Sequence, residues 1–196
     1  ASYLLGRSTA PRAASLAVAL HQNLTTGTHD RLDRHGLAEA TGSGAPSTRL
    51  ALYGQAYFLP ERTLRGRFNV SWRVPGSRAP IEGASAYGTA PGFSGHADLR
   101  SAMQVSLALE YSLGPNWTQA GELLHERDRG VVVRGTRGDG GRFTRDGTAW
   151  WRHSFAPAVE YHWTDNVGLI AGAVVSFDGR DCAAIFSPQV ALDMVV

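Results

Sequence analysis

The chain has 196 residues, a formal charge of +2 and a hydrophobic fraction of 43%, and all 19 of its basic residues are arginine. These arginines are scattered among acidic residues rather than gathered in a basic run, which excludes a nucleic-acid footprint. A lone Cys182 excludes an internal disulfide or a cysteine metal cluster. No apolar run approaches the ~18–20 residues of a membrane-spanning helix, a limit that leaves β-barrels untouched.

In chain order, Ala1–Leu5 reads as the end of a strand, followed by a turn through Gly6–Ala14; it is either an N-terminal arm or the remnant of preceding strands. Eight strand candidates follow, each recognised by apolar residues recurring with period two. Ser15–Leu24 sets Leu16, Val18, Leu20 and Leu24 against Ser15, Ala17, Ala19, His21 and Asn23. Arg49–Phe58 sets Leu50, Leu52, Gly54, Ala56 and Phe58 against Arg49, Ala51, Tyr53, Gln55 and Tyr57. Thr63–Val74 is the most regular: Leu64, Gly66, Phe68, Val70, Trp72 and Val74 share one face, and Arg65, Arg67, Asn69, Ser71 and Arg73 the other.

Leu99–Leu113 opposes Met103, Val105, Leu107, Leu109, Tyr111 and Leu113 to Arg100, Gln104, Ser106, Glu110 and Ser112. Trp117–Arg127 is ambiguous, because Leu123 and Leu124 are adjacent and a bulge would reconcile them. Trp151–Trp163 places Trp151, Phe155, Val159, Tyr161 and Trp163 opposite Arg152, Ser154, Ala158, Glu160 and His162. Asn166–Phe177 aligns Val167, Leu169, Ala171, Ala173, Val175 and Phe177, and Ser187–Val196 sets Val190, Leu192, Met194 and Val196 against Gln189, Ala191 and Asp193.

Connections alternate. Thr25–Thr48, Pro75–Asp98 and Asp128–Trp150 are long; Leu59–Arg62, Gly114–Asn116 and Thr164–Asp165 are short, and Asp178–Phe186 is intermediate. The long ones, such as Arg134-Gly-Thr-Arg-Gly-Asp-Gly-Gly141, are Gly-, Asp- and Arg-rich and read as solvated and mobile. Outer-membrane barrels have this asymmetry of long outer loops and tight periplasmic turns. Aromatic residues gather near the strand ends: Phe58, Tyr111, Trp117, Tyr161 and Trp163 at the short-turn end, and Trp72, Trp150, Trp151 and Phe177 at the other. Such girdles sit at headgroup level.

The expectation is a single domain, 1–196, forming an all-β, antiparallel, up-and-down transmembrane barrel of about eight strands, or part of a larger one. Its apolar residues would face lipid and its polar residues a wet lumen. The alternatives are a closed structural or adhesive barrel with surface-binding loops, and a soluble ligand-binding barrel of lipocalin type, which would place the apolar face inside.

A resemblance adds to this reading. Ala156-Pro-Ala-Val-Glu-Tyr161, Asn166-Val-Gly-Leu-Ile-Ala-Gly-Ala-Val174, Gly179-Arg180 and Ser187-Pro-Gln-Val-Ala-Leu-Asp-Met-Val195 follow one another in order. Upstream stand Arg49-Leu-Ala-Leu-Tyr-Gly-Gln-Ala-Tyr-Phe58, Ala86-Tyr-Gly-Thr-Ala-Pro-Gly-Phe93, and Leu109-Glu-Tyr-Ser112 with Asn116-Trp117. The series resembles the C-terminal part of the outer-membrane transporters associated with the meta-pathway of phenol degradation. The resemblance implies a Gram-negative outer-membrane channel for small hydrophobic or aromatic solutes, with more strands upstream. Val195-Val196 departs from the terminal aromatic residue usual in such barrels.

Thirteen polar residues are candidate lumen-lining positions: Arg49, Tyr53, Gln55, Tyr57, Arg65, Arg67, Arg73, Arg100, Gln104, Glu110, Glu160, His162 and Asp193. Pairing through the Leu59–Arg62 turn would set Gln55 near Arg67 and Tyr57 near Arg65. Arg49, Arg73 and Arg100 fall toward the outer mouth, and Glu110, Glu122, Glu160 and Asp193 toward the periplasmic end. Such a face either filters solutes as charged rings do, or closes a narrow barrel with mutually satisfied Arg–Glu ladders.

His153 and Ser154, being adjacent, point to opposite faces and cannot act as base and nucleophile without a bulge; His125 and Glu126 fail likewise. The expectation is no catalytic residue, no metal site and no cofactor. His21 and His162 read as hydrogen-bonding lumen residues, and Arg137-Gly-Asp139-Gly as a turn. Outer-membrane lipid or lipopolysaccharide and a small hydrophobic solute are the expected partners.

Overall fold

The computed structural model describes residues 2–7, 14–32, 39–59, 63–164 and 166–194. Its strands are β1 (Ser2–Arg7), β2 (Ala14–Asn23), β3 (Ser47–Tyr57), β4 (Leu64–Pro75), β5 (Ala79–Glu82), β6 (Ser94–Leu99), β7 (Ala102–Ser112), β8 (Trp117–Asp128), β9 (Val131–Thr136), β10 (Arg142–Asp146), β11 (Trp150–Thr164), β12 (Val167–Arg180) and β13 (Phe186–Met194). Nine of them form one antiparallel sheet in the order β1-β2-β3-β4-β7-β8-β11-β12-β13. The expected count of about eight is therefore nine, because the segment read as a strand end is β1, paired with β2. β1 and β13 are each paired on one side only, so the sheet is not closed on itself. The turn 60–62, Asp165 and the terminal Val195-Val196 lie outside the described residues.

Period-two alternation fixes register, because a slip of one residue would exchange the two faces. The expected pairing of β3 and β4 is found, with Gln55 opposite Arg67 and Tyr57 opposite Arg65. Exposure then separates the faces. On the polar face Ala51 is 1%, Ser106 5%, Ala108 7% and Glu110 7% exposed; on the apolar face Leu107 is 59% and Leu109 58% exposed. A soluble sheet has the opposite arrangement.

The apolar face is close-packed at its glycines. A Cβ on Gly54 would meet the Phe68 ring at 2.0 Å, and one on Gly66 the Phe58 ring at 2.5 Å. Each phenyl ring thus covers bare backbone on the neighbouring strand, a contact that a larger residue would abolish. The β8 ambiguity resolves without a bulge. β8 pairs in unbroken register with β7 and β11, leaving Leu123 on the apolar face and Leu124 opposite Ser106 and Ser154 on the polar one. The irregularities lie in β1–β2, and in β11–β12 beside His153/Ser154 and His162/Thr164.

Two of the long connections, Pro75–Asp98 and Asp128–Trp150, expected as solvated loops, carry strands instead. The Leu99–Leu113 candidate divides into β6 and β7, and Arg134–Thr136 belongs to β9. Hairpins β5–β6 and β9–β10 pair through β6 and β9 into a second antiparallel sheet, ordered β10-β9-β6-β5. Ala45, Ala79, Ile81, Phe93, Ala97 and Val133 form its core, with Tyr87, Leu99, Val131 and Phe143 packed around them. Short β-branched runs such as Val131-Val-Val133 suit a pleated surface. They escaped notice because the surrounding Gly, Asp and Arg carry the stronger local signal. Within Arg134–Gly141, residues 137–141 remain a turn, closed by the Arg137 N–H donating to the Gly141 carbonyl at 2.9 Å.

The second sheet forms a head spliced onto the first. The Arg100 N–H donates to the Gly130 carbonyl and the Arg129 N–H to the Ser101 carbonyl, each at 3.1 Å, carrying the ladder across the break. The first connection docks on the head's other side: Arg31 N–H donates to Glu82 O and Leu32 N–H to Ala84 O, both at 3.0 Å.

Candidate functional site: the polar face and its head-side mouth

Twelve of the thirteen candidate lumen residues lie on the polar face of the nine-stranded sheet, as their register partners show. Arg100 does not. It sits between β6 and β7, and its guanidinium lies 3.0 Å from Asp146 at the end of β10, bracing the head. Sequence alternation placed it on the strand because nothing in Leu99–Leu113 marks the break at Arg100-Ser101.

Three carboxylates on this face, Glu110, Glu126 and Asp128, are matched with arginines. Near the short-turn end, buried Glu110 is held between Arg65 and Arg67; the Arg65 Nε–H donates to Glu110 Oε2 at 2.6 Å, and Arg67 binds the other oxygen. Toward the head, Arg152 donates twice to Glu126, at 3.1 and 2.6 Å, and Arg73 meets Asp128 at 2.6 Å. Charge-assisted pairs of this kind are needed because an isolated buried carboxylate is costly. The expected Arg–Glu ladders are thus present. Arg49, directly opposite Arg73, makes no ion pair among the described residues. His162 lies 3.2 Å from Glu160, and Tyr53 Oη 3.4 Å from His21 Nε2, so both histidines make the polar contacts expected of them.

Two cavities open along the face. One of about 350 Å³, beside the head, is lined by Arg49, Arg73, Gln104, Glu126, Asp128 and Trp150. The other, about 410 Å³, is lined by Tyr53, Gln55, Arg67, Asn69, Ser106 and Glu122. Among the described residues, Asn69 Oδ1 and Ser154 Oγ on this face are buried without a hydrogen-bond partner. Trp150, expected in the outer aromatic ring, is instead in register with Asp128 on the polar face, and Arg152 lies over its ring, with the guanidinium carbon 5.5 Å from the centroid. A further cavity of about 460 Å³ under the head brings Tyr87 to Arg73 and Trp150. Burial pushes the Tyr87 hydroxyl up to about 12, against the nearby Arg73 charge, and this hydroxyl donates to the Ser43 carbonyl.

Most aromatic residues of the apolar face lie at the strand ends, with Phe68 and Phe155 farther in. At the short-turn end Trp117 and Tyr161 stand 4.6 Å apart and Tyr161 and Trp163 5.5 Å apart, with Phe58 and Tyr111 exposed on neighbouring strands. Trp72, Trp151 and Phe177 lie toward the head. His153 and Ser154 occupy opposite faces: His153 stacks on apolar-face Phe177, while Ser154 is 1% exposed on the polar side. His125 and Glu126 likewise divide between the faces. Among the described residues no group of three or more His, Cys, Asp or Glu side chains could hold a metal ion.

No known protein family matches the chain, and no curated protein does.

Proposed function

We propose that the nine-stranded sheet is the wall of a transmembrane β-barrel that serves as a passive outer-membrane channel for small solutes. The observation that carries this reading is the exposure of the apolar face together with the burial of the polar one. In water the exposed leucines, valines and aromatics would be an aggregation hazard; against acyl chains they are the favourable surface. Strands of 9 to 15 residues in β2–β4, β7, β8 and β11–β13 match the ~9–11 needed to cross a bilayer.

Hydrocarbon tolerates no open sheet edge, so β1 and β13 must be paired in the membrane, with each other or through additional strands. The resemblance to outer-membrane transporters of the phenol meta-pathway points the same way and suggests hydrophobic or aromatic solutes.

Refolding the chain into phosphatidylcholine vesicles tests both halves of the proposal. The expected result is a folded protein that requires lipid or detergent and lets small solutes swell the vesicles. A monodisperse folded monomer in plain buffer would defeat membrane residence. A folded, inserted protein without solute flux would defeat the channel and favour a closed structural barrel.

A further inference from the structure

The apolar face of the nine-stranded sheet is almost free of charge, and its exceptions are clustered. Among the described side chains, the carboxylate, guanidinium and imidazole groups in this register are His125, Arg127, His153, Asp178 and Arg180, all at the head end of β8, β11 and β12. Elsewhere this face carries aliphatic, aromatic and small residues with an occasional neutral amide or hydroxyl. A charge facing hydrocarbon is expensive at mid-bilayer and inexpensive at the interface, so random placement would not produce this confinement.

Register gives the patch its layout. Arg127 and Arg180 both pair with Trp151, one from each side. They are therefore two strand spacings apart, about 10 Å, within reach of a shared ligand above the indole. One row nearer the sheet centre, His153 is flanked by His125, with ring centroids 4.8 Å apart, and stands 4.9 Å from Trp151. An irregularity in β12 directs both Phe177 and Asp178 toward His153: Phe177 stacks on it at 6.0 Å, and Asp178 lies 3.6 Å from its Nδ1. Next come Leu123, Phe155 and Val175, wholly apolar. From head to centre the face thus passes from guanidinium and indole, through imidazole, to hydrocarbon, as the environment passes from headgroup to acyl chain.

Charge within the patch is incompletely balanced. Asp178 serves His153, and Arg180 lies 3.4 Å from Asp181 with 77% of its side chain exposed. Arg127 is exposed and meets no carboxylate among the described residues. We propose that Arg127, Trp151 and Arg180 form a docking site for the phosphate of an anionic lipid in the leaflet on the head side, with its acyl chains lying over Leu123, Phe155 and Val175. Guanidinium groups suit this ligand because they bind phosphate oxygens through paired N–H donors. The inference rests on the membrane reading above and adds a partner and an orientation to it.

The test compares the whole chain with Arg127→Gln/Arg180→Gln, each folded into phosphatidylcholine vesicles with or without diphosphoryl lipid A. Lipid retained after detergent extraction is counted by native mass spectrometry. Wild type should retain lipid A, and the double substitution should weaken retention about 25-fold, about fivefold per arginine. Arg127→Lys/Arg180→Lys, which keeps charge but loses the fork of donors, should fall between. Phosphatidylcholine retention should not change. Equal lipid A retention by folded wild type and Gln variant would overturn the site alone. Complete competition by inorganic phosphate would overturn its assignment to a lipid. Failure of wild type to enter vesicles of either composition would overturn the membrane reading, and the site with it.

Discussion

Leu107 and Leu113 offer a depth measurement built into one strand. Leu107 is the middle residue of β7 and Leu113 lies just beyond its end; they share the apolar face and are 59% and 55% exposed. To water they are equivalent, and arginine at either site would change stability by no more than about 0.5 kcal/mol. To a bilayer they differ: arginine costs ~2–4 kcal/mol at the midplane and ~0–1 kcal/mol near the interface. Leu107→Arg should therefore be less stable than Leu113→Arg by about 2–3 kcal/mol, a 30- to 150-fold difference in the folding equilibrium constant at ~1.4 kcal/mol per decade. Phe68 and Leu123 flank Leu107 in register, so the new guanidinium finds no carboxylate beside it. Urea titration in phosphatidylcholine vesicles, followed by tryptophan fluorescence, gives both values. Two equal, small losses would refute the assignment of this face to lipid, whatever happened in conductance assays.

Three further outcomes are expected. Glu110→Ala leaves Arg65 and Arg67 facing each other without their shared carboxylate; because both guanidiniums keep some solvent, the loss should be about 2 kcal/mol rather than the ~3–5 kcal/mol of a fully buried pair, read by the same urea titration. Ile81→Ala, at a position 1% exposed in the head core, should cost ~2–5 kcal/mol locally. Trypsin should then cut sooner at Arg137 and Arg142, with the β-sheet circular dichroism of the wall preserved. Tyr87 should ionise near pH 12 instead of 10, seen as late phenolate absorbance lost in Tyr87→Phe. Since the unfolded chain releases that proton first, Tyr87 stabilises the fold fully below about pH 10, and the contribution is lost as pH rises from about 10 to 12.

The wall was legible because a strand with two different faces writes its orientation into alternate residues. Thr63–Val74 and Arg49–Phe58 fixed their own register, down to the Gln55–Arg67 and Tyr57–Arg65 pairs. The head was not legible. β5 has four residues and β10 five, too short for a period to emerge, and their core is assembled from Ile81, Phe93 and Val133, far apart in sequence. Arg100 and Trp150 were misplaced for a related reason: each stands at a splice between wall and head, where an alternation count carries no sign of the break. The cluster at Arg127, Trp151 and Arg180 depends on three strands being in register, and no single strand carries that information.

The ladder that continues from wall to head has a mechanical corollary. With Arg100 and Arg129 hydrogen-bonded across the break, and Arg100 clamped to Asp146, the small sheet cannot swing like a hinged cover without tearing main-chain bonds. The segment before β3 braces the same small sheet from its far edge, through the Arg31 and Leu32 N–H groups and the His29 and Ser43 carbonyls, so the head is held from both sides.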